Sequence, residues 1–521
     1  MNFKDSFFQI FFQVLLFVSI LSILQYFIGW YTNKSSIDQC GGVSGQTFVA
    51  PELQKSQRPL LLDVMIEKEA DHEIIDLHKV ETSLGVYVFS SRGAILESFY
   101  MYWQNKTMSI PMLNASAQCF FVALDGVSPL YYKFIDEIVD PVLQVTILRY
   151  QASSEAGSIV KTFIVYHNSY RIDVKLEVEG LAQHIRLLLP MPLNLETAAS
   201  APMGGSYEVY GITNKALSSS TLTIREIVLE KSLQEFVFEP RIFGFSDRFI
   251  IHSFVQAGNQ HPLRAYFKSL GDKNYQAILE STAFEKNHQE AWSFYLGPKV
   301  EQALMAVQPA LNQTINYGWF SILAKPMFKI LQALKDYFGN YGIAIILLTI
   351  LLNLLLLPFK MRGERSMRQQ ADFQKKLAYV RQKYKHDKQA LEAASAELIQ
   401  KHGMPGFLGC LPLLLNIPFF IALSRLLSCS FDLYGAHFLW LPDLSAKDPF
   451  YILGILTGAI MLMTPAVDSK QTVMRYASAL MFGTITMYLS SGLALFILTN
   501  TIMNLLQMIV TRYVKSGTCS L

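Results

Sequence analysis

Asn500, Asn504, Gln507 and Thr511 stand at i, i+4, i+7 and i+11 of a run that is otherwise apolar. At 3.6 residues per turn they make one polar stripe down a helix. Thr349 and Asn353 stand one turn apart in a second apolar run, Asn416 lies between Pro412 and Pro418 in a third, and Thr457 and Thr464 share a face of a fourth. Amides and hydroxyls in hydrocarbon can do one of two things. They can hydrogen-bond a neighbouring helix, at about 0.6–2 kcal/mol per bond, or they can line a wet cavity. Either reading fits any single residue, but four polar residues on one face exceed what packing needs. If the stripes converge, they line a hydrated groove.

Covalent chemistry has little to work with. There is no GxxxxGK[ST] phosphate loop and no HExxH, which argues against nucleotide-driven transport and zinc hydrolysis. His72, Asp76 and His78 lie close together in ADHEIIDLH, a cluster that reads as a solvated turn rather than a metal site. The glycines of 41–45 and of Met203-Gly-Gly-Ser206 precede no helix that could hold a phosphate. No catalytic residue, metal or cofactor is assigned. The five cysteines form no CxxC, and Cys40 could meet Cys119 only in an oxidising compartment.

The elements that must position the polar stripes follow from composition. Of 521 residues, 51% are hydrophobic and 16% charged, against about 25% charged in a soluble domain. An ordinary cytosolic enzyme is excluded. A net charge of +3 leaves no global nucleic-acid footprint. Residues 7–29 are an uncharged run long enough to span a bilayer. They read as an uncleaved anchor rather than a signal peptide, because no small-x-small site follows. Five further apolar segments, Gly342 to Phe359, Phe407 to Ser428, Phe450 to Val467, Tyr476 to Leu489 and Leu493 to Val510, bring the predicted spans to six.

Between the first two spans the pattern alternates, as in Arg171-Ile-Asp-Val-Lys-Leu-Glu-Val-Glu179, where Ile172, Val174, Leu176 and Val178 share one face. Such runs, with others at Val142 to Tyr150 and Ile159 to Tyr166, predict a large antiparallel β-sandwich. Phe320 to Phe338 then predicts an amphipathic helix on the membrane surface.

Orientation comes from the loop after span two, with Lys360, Arg362, Arg365, Arg368, Lys375, Lys376, Arg381, Lys383, Lys385, Lys388 and Lys401. Positive loops stay cytoplasmic. Both termini are therefore expected inside and the β-domain outside, with Trp30, Trp319 and Trp440 at the outer interface. The loop reads as a basic helical hairpin, which either only sets topology or offers a cationic surface to ribosomes, nascent chains or lipid heads. The expected organisation is a polytopic α-helical membrane protein with an all-β extracytoplasmic domain: an anchor at 1–30, the β-sandwich at 31–318, the interfacial helix at 319–340, and a five-helix core at 341–515. That core holds the hairpin at 360–403, and a short tail at 516–521 follows it.

Several stretches resemble a known family. Asn316-Tyr-Gly-Trp319, Gly-Asn-Tyr-Gly at 339–342, Gly409-Cys-Leu-Pro-Leu-Leu-Leu-Asn-Ile-Pro418, Asp443-Leu-Ser-Ala-Lys-Asp-Pro449 and Ser491-Gly-Leu493 are similar to motifs of the bacterial YidC family of membrane protein insertases. Ser91-Arg-Gly-Ala-Ile-Leu-Glu97 and Val160-Lys-Thr-Phe163 are similar to its outer domain, more loosely. The resemblance implies an inner-membrane protein whose periplasmic domain is a β-supersandwich. It also implies that hydrophobic segments of nascent membrane proteins pass through a hydrophilic groove into lipid without nucleotide hydrolysis, alone or beside the Sec translocon and the ribosome. Nucleic acid would be met only through the ribosome. One departure stands out: where the family commonly has an arginine in span two, five residues before a proline like Pro358, this chain has Asn353. Arg425 in span three reads as snorkelling to the outer surface. The rival expectation is a transporter or receptor whose sandwich captures a small ligand such as a carbohydrate.

Overall fold

The computed structural model describes residues 75–518 except 104–107, 114–117, 125–130, 155–156, 181–183, 193–208, 215–221, 230–235, 257–260, 272–273, 284–286, 385–387, 403–410 and 465–468. The expected first span, Trp30, Cys40, His72 and both glycine-rich stretches lie outside the described residues.

Four strands, β1 (Leu77–Glu81), β2 (Gly85–Ser90), β3 (Ile95–Trp103) and β4 (Met108–Pro111), make one antiparallel sheet. They are followed by β5 (Val122–Leu124), β6 (Lys133–Asp140), β7 (Val145–Ser154), β8 (Gly157–Tyr166), β9 (Arg171–Glu179), β10 (Ile185–Pro190) and β11 (Tyr210–Asn214). The remaining strands are β12 (Ile224–Ile227), β13 (Val237–Phe238), β14 (Ile242–Ser246), β15 (Ile250–Val255), β16 (Arg264–Gly271), β17 (Asn274–Glu280) and β18 (Asn287–Pro298). A nine-stranded sheet has the order β12-β11-β14-β15-β18-β9-β8-β7-β6, and a five-stranded sheet the order β13-β16-β17-β10-β5.

Alternation explains the packing. On β9, Ile172, Val174, Leu176 and Val178 are buried while Lys175, Glu177 and Glu179 are exposed. β8 turns Ile159, Phe163 and Val165 to the same core, and Lys161 with them. A buried ammonium needs acceptors. The Nζ of Lys161 donates to the carbonyls of Gly93 and Phe120, so this lysine ties the long sheet to the segments before β3 and before β5. His78, one member of the cluster in ADHEIIDLH, stacks on Phe134 with ring centroids 3.7 Å apart and meets the Tyr150 hydroxyl at 3.1 Å. Its described surroundings are those of a packing histidine.

Val142 and Leu143, expected to open a strand, form the β6–β7 turn instead. Asp140 Oδ1 accepts from the backbone N–H of Val142 at 2.8 Å and of Leu143 at 3.0 Å, a side-chain turn that outcompetes strand pairing at those two residues.

The sandwich leads into helices α1 (Glu301–Val307), α2 (Ser321–Phe338), α3 (Tyr341–Lys383), α4 (Lys388–His402), α5 (Leu411–Cys429), α6 (Ile452–Met463), α7 (Ser469–Tyr488) and α8 (Ser491–Thr518). Among the described residues two stretches are long and apolar enough to cross a membrane, Tyr341–Pro358 and Ser491–Val510; Pro418–Cys429 and Ile452–Met463 are shorter apolar helices. Two helices differ in extent from the apolar segments read in the sequence. α6 is only 12 residues long, because Asp448 Oδ2 caps its start at Leu453 N–H and Thr464 already stands outside it. α7 begins at Ser469, upstream of the expected Tyr476.

The family-like motifs are the joints of this assembly. Gly339, at φ +74°, ends α2 in a left-handed turn that favours glycine. Asn340 caps α3 through Gly342 and Ile343 N–H and donates from Nδ2 to the His437 carbonyl. A Cβ on Gly342 would collide with the Phe438 ring, so only glycine fits. At the other joint Ser491 and Gly492 N–H donate to the carbonyls of Ala446 and Leu444, tying the start of α8 to the loop before α6. α6 and α7 touch through Gly454, Gly458 and Gly483, small residues that let two apolar helices approach without side chains between them.

The sandwich is seated on the bundle at Phe431. This residue, in the turn after α5, belongs to the sandwich core, packing on Trp103 at 4.4 Å and Phe249 at 5.8 Å between ring centroids. Trp103 Nε1 donates to the Tyr434 carbonyl at 3.1 Å, and Arg248 Nε to that of Ser428 at 2.8 Å.

Candidate functional site

α3 and α8 both start at the sandwich side of the bundle and run away from it. Their first turns are packed: Ala344, Ile345, Leu348 and Leu352 of α3 share a core with Leu493, Ala494, Phe496 and Leu498 of α8 and with Ala422, Leu423, Leu426 and Leu427 of α5. Burial then stops. On α8 the residues from Ser491 to Phe496, and Leu498 and Thr499 after them, are buried, whereas none from Asn500 to Val510 is. Among the described residues α8 is thus densely packed near the sandwich and only partly covered beyond Thr499.

The polar residues lie at that boundary. Thr349 is fully buried and its hydroxyl donates to the Ile345 carbonyl at 2.6 Å. One turn on, Asn353 Nδ2 donates to the Thr349 carbonyl at 2.8 Å. The oxygen of Asn353 accepts from Lys360 Nζ at 2.6 Å, and the same ammonium donates to Asn504 Oδ1 at 3.0 Å. Lys360 is itself buried. Among the described residues two carboxamide oxygens take two of the three donor directions of this ammonium. It can therefore hold a positive charge beside hydrocarbon and still offer a hydrogen bond to an incoming carboxylate or carbonyl.

The structure joins Asn353 and Asn504 of the predicted set through this lysine, with Thr349 one carbonyl away. Asn500 and Gln507 are half-buried along α8 to either side of Asn504. Thr457 is buried on α6 with its hydroxyl donated to the Leu453 carbonyl, as a packed threonine would be. Thr464 closes the end of α6, its hydroxyl on the Met461 carbonyl and its own carbonyl accepting from Arg475. The side chains of Asn416, Thr511, Arg362, Arg365, Arg368, Lys375, Arg381 and Lys388 lie outside the described residues, as does Lys385 altogether, while Lys376 and Lys383 are exposed. Arg425 is exposed one turn before the end of α5. From composition alone Lys360 reads as the first cation of the cytoplasmic loop. The signal that places it otherwise is its spacing: seven residues after Asn353, it falls on the same helix face two turns on.

The sequence profile of the 60Kd inner membrane protein matches residues 333–517, and that of the YidC periplasmic domain matches residues 142–330. The chain belongs to the YidC family. The membrane protein insertase YidC of Geotalea uraniireducens is 29% identical over 502 residues, which cover 89% of this chain and 91% of that one. That of Geobacter sulfurreducens is 34% identical over 274 residues, 51% of each chain. A crystal structure of an active YidC insertase with its first transmembrane domain resolved matches with a TM-score of 0.40 at 18% identity, covering 86% of this chain and 94% of that one. The protein is accordingly an inner membrane protein with a periplasmic β-rich domain, and its family inserts proteins into membranes rather than catalysing a covalent reaction.

Proposed function

We propose that this chain moves apolar segments of newly made proteins from the cytoplasm into the bilayer through a hydrophilic groove between α3 and α8. The observation that carries this reading is the buried ammonium of Lys360 held by Asn353 and Asn504 where burial along α8 ends. A polar flank of the substrate is solvated there while its apolar part meets lipid, which lowers the desolvation barrier to crossing. The dense half of the bundle near the sandwich supports a groove closed on the outside. In this reading the chain has six spans and cytoplasmic termini, the sandwich is a β-supersandwich, and the groove is lined by Thr349, Asn353, Asn416, Thr457, Thr464, Asn500, Asn504 and Gln507. The hairpin formed by the end of α3 and by α4 receives nascent chains, with the ribosome and the Sec translocon as partners.

Purified protein in sealed liposomes should insert a short single-span substrate without nucleotide, read out by protease protection. Insertion no better than into protein-free liposomes, with a substrate shown to be competent, overturns the proposal. Saturable binding of a sugar or small ligand by the sandwich without insertion would favour a receptor instead.

A further inference from the structure

Among the described residues the three most exposed large apolar side chains are Val142 at 87%, Ile322 at 85% and Tyr337 at 83%. Ile322 and Tyr337 are on α2, the helix read from sequence as lying on the membrane surface. Val142 is far from them in sequence, at the tip of the β6–β7 turn, beside Leu143 at 69%.

Strand register shows which end of the sandwich this tip occupies. Phe249, in the β14–β15 turn, packs against Phe431 of the bundle, so that end of the sheet faces the membrane helices. Ile250 pairs with Pro298, Tyr295 with Arg171, Ile172 with Val165, and Tyr166 with Val145. The path across β15, β18, β9, β8 and β7 therefore arrives at the β6–β7 turn on the same end. Pro141, Val142, Leu143 and Gln144 carry no charge. The backbone is also prepared for a dry setting. Asp140 accepts from Val142 and Leu143 N–H, and Gln144 Nε2 donates to the Pro141 carbonyl at 2.7 Å. Unpaired backbone donors are what bars an ordinary loop from lipid, and here two of them are satisfied within the turn.

We propose that the β6–β7 turn is a lipid anchor, with Val142 and Leu143 seated in the outer leaflet beside the bundle. It gives the periplasmic domain a second foothold besides Phe431, on the far flank of the nine-stranded sheet. The occupant is the bilayer rather than a protein partner, because the tip shares its end of the sheet with the chain's own membrane helices, and its one carboxylate, Asp140, is turned onto the backbone N–H groups of Val142 and Leu143. The proposal rests on the membrane placement of those helices, and its test reports on that placement separately.

The full chain, with its native cysteines replaced by serine and its insertion activity retained, is spin-labelled in lipid nanodiscs at Val142→Cys. Ser153→Cys, at the opposite end of β7, and Ile509→Cys, on α8, serve as controls. Each site is exposed in the fold, so labelling disturbs no core. Collision with oxygen, which concentrates in lipid, should exceed collision with a water-soluble nickel chelate several-fold at 142 and 509, and the ratio should reverse at 153. A water-like ratio at 142 with a lipid-like ratio at 509 overturns the anchor while leaving the membrane placement standing. Protection of 142 from both reagents means a protein surface covers the tip and equally overturns it. A water-like ratio at 509 overturns the placement on which the anchor rests.

Discussion

The ammonium of Lys360 and the carboxamide oxygen of Asn504 lie 3.0 Å apart although 144 residues separate them in the chain. Together with the 2.6 Å contact to Asn353, this means that α3 and α8 are joined by one cation at the level where packing loosens. Asn353 carries no charge of its own, yet a positive charge reaches its amide from two turns away.

Lys360→Met should slow insertion of a substrate with an acidic flank about tenfold, equivalent to about 1.4 kcal/mol, and Lys360→Arg should retain most of it. Proteoliposome assays with acidic and neutral flanks measure this. Equal losses for both flanks would mean that the lysine only braces the helices.

Asn353→Arg alone places two cations within hydrogen-bond reach of each other and should destabilise the bundle. Combined with Lys360→Gln it restores a single cation and should recover both stability and insertion. A double-mutant cycle in melting temperature measures the coupling, expected at about 0.5–3 kcal/mol for groups in contact. Additive effects would refute the pairing.

His252 gives the sandwich a pH dependence. The ring is buried, donates from Nδ1 to the Pro190 carbonyl at 3.3 Å, and desolvation pulls its pKa down to about 4. Unfolded, it titrates near 6.5. Its contribution is therefore fully present above about pH 6.5 and is lost as pH falls towards 4, by on the order of 3 kcal/mol. Desolvation likewise lowers Lys161 well below its ordinary value, so stability should rise with pH until the unfolded chain gives up its own lysine proton. Urea titrations of the full chain between pH 4 and 8 should show an acid slope that His252→Asn, which keeps a donor for Pro190, flattens.

Phe431→Ala should loosen the sandwich from the bundle, since emptying such a site costs about 3–5 kcal/mol. Hydrogen exchange at the β14–β15 turn and at 428–434 should accelerate together. Acceleration confined to 428–434 would show that Phe431 braces only its own turn.

At the α6–α7 contact, a side chain on Gly454 would meet Met487 Cγ at 2.5 Å and the Gly483 carbonyl at 2.9 Å, whereas one on Gly458 has 3.2 Å to the Ala479 carbonyl. Gly454→Val should therefore cost about 1–3 kcal/mol by overpacking, and Gly458→Ala clearly less. Thermal melts in detergent rank the two.

Period-two alternation is legible wherever one face is buried, so β8 and β9 can be read directly, including the residues that line the core. Alternation says nothing of a buried lysine, and Lys161 sits on the inward face because two carbonyls meet its Nζ there. The polar stripe of α8 is visible from spacing, but its partner is not: Lys360 counts as a loop charge until the helix is known to run on past Pro358. Local capping defeats two other readings. Asp140 draws Val142 and Leu143 into a turn, and Asp448 with Thr464 shortens α6, effects that hydropathy averaged over a window cannot register.

α3 runs as one helix of 43 residues from Tyr341 to Lys383, about 64 Å at 1.5 Å per residue. Asn340 pins its first turn to His437, and Pro358 removes one rung of its hydrogen-bond ladder in mid-course. It is a lever with a built-in fulcrum. A load on the arm beyond Pro358 applies its torque there, two residues from the ammonium that joins α3 to α8. Force at the far end of α3 then acts as leverage on the Asn353–Lys360–Asn504 junction itself.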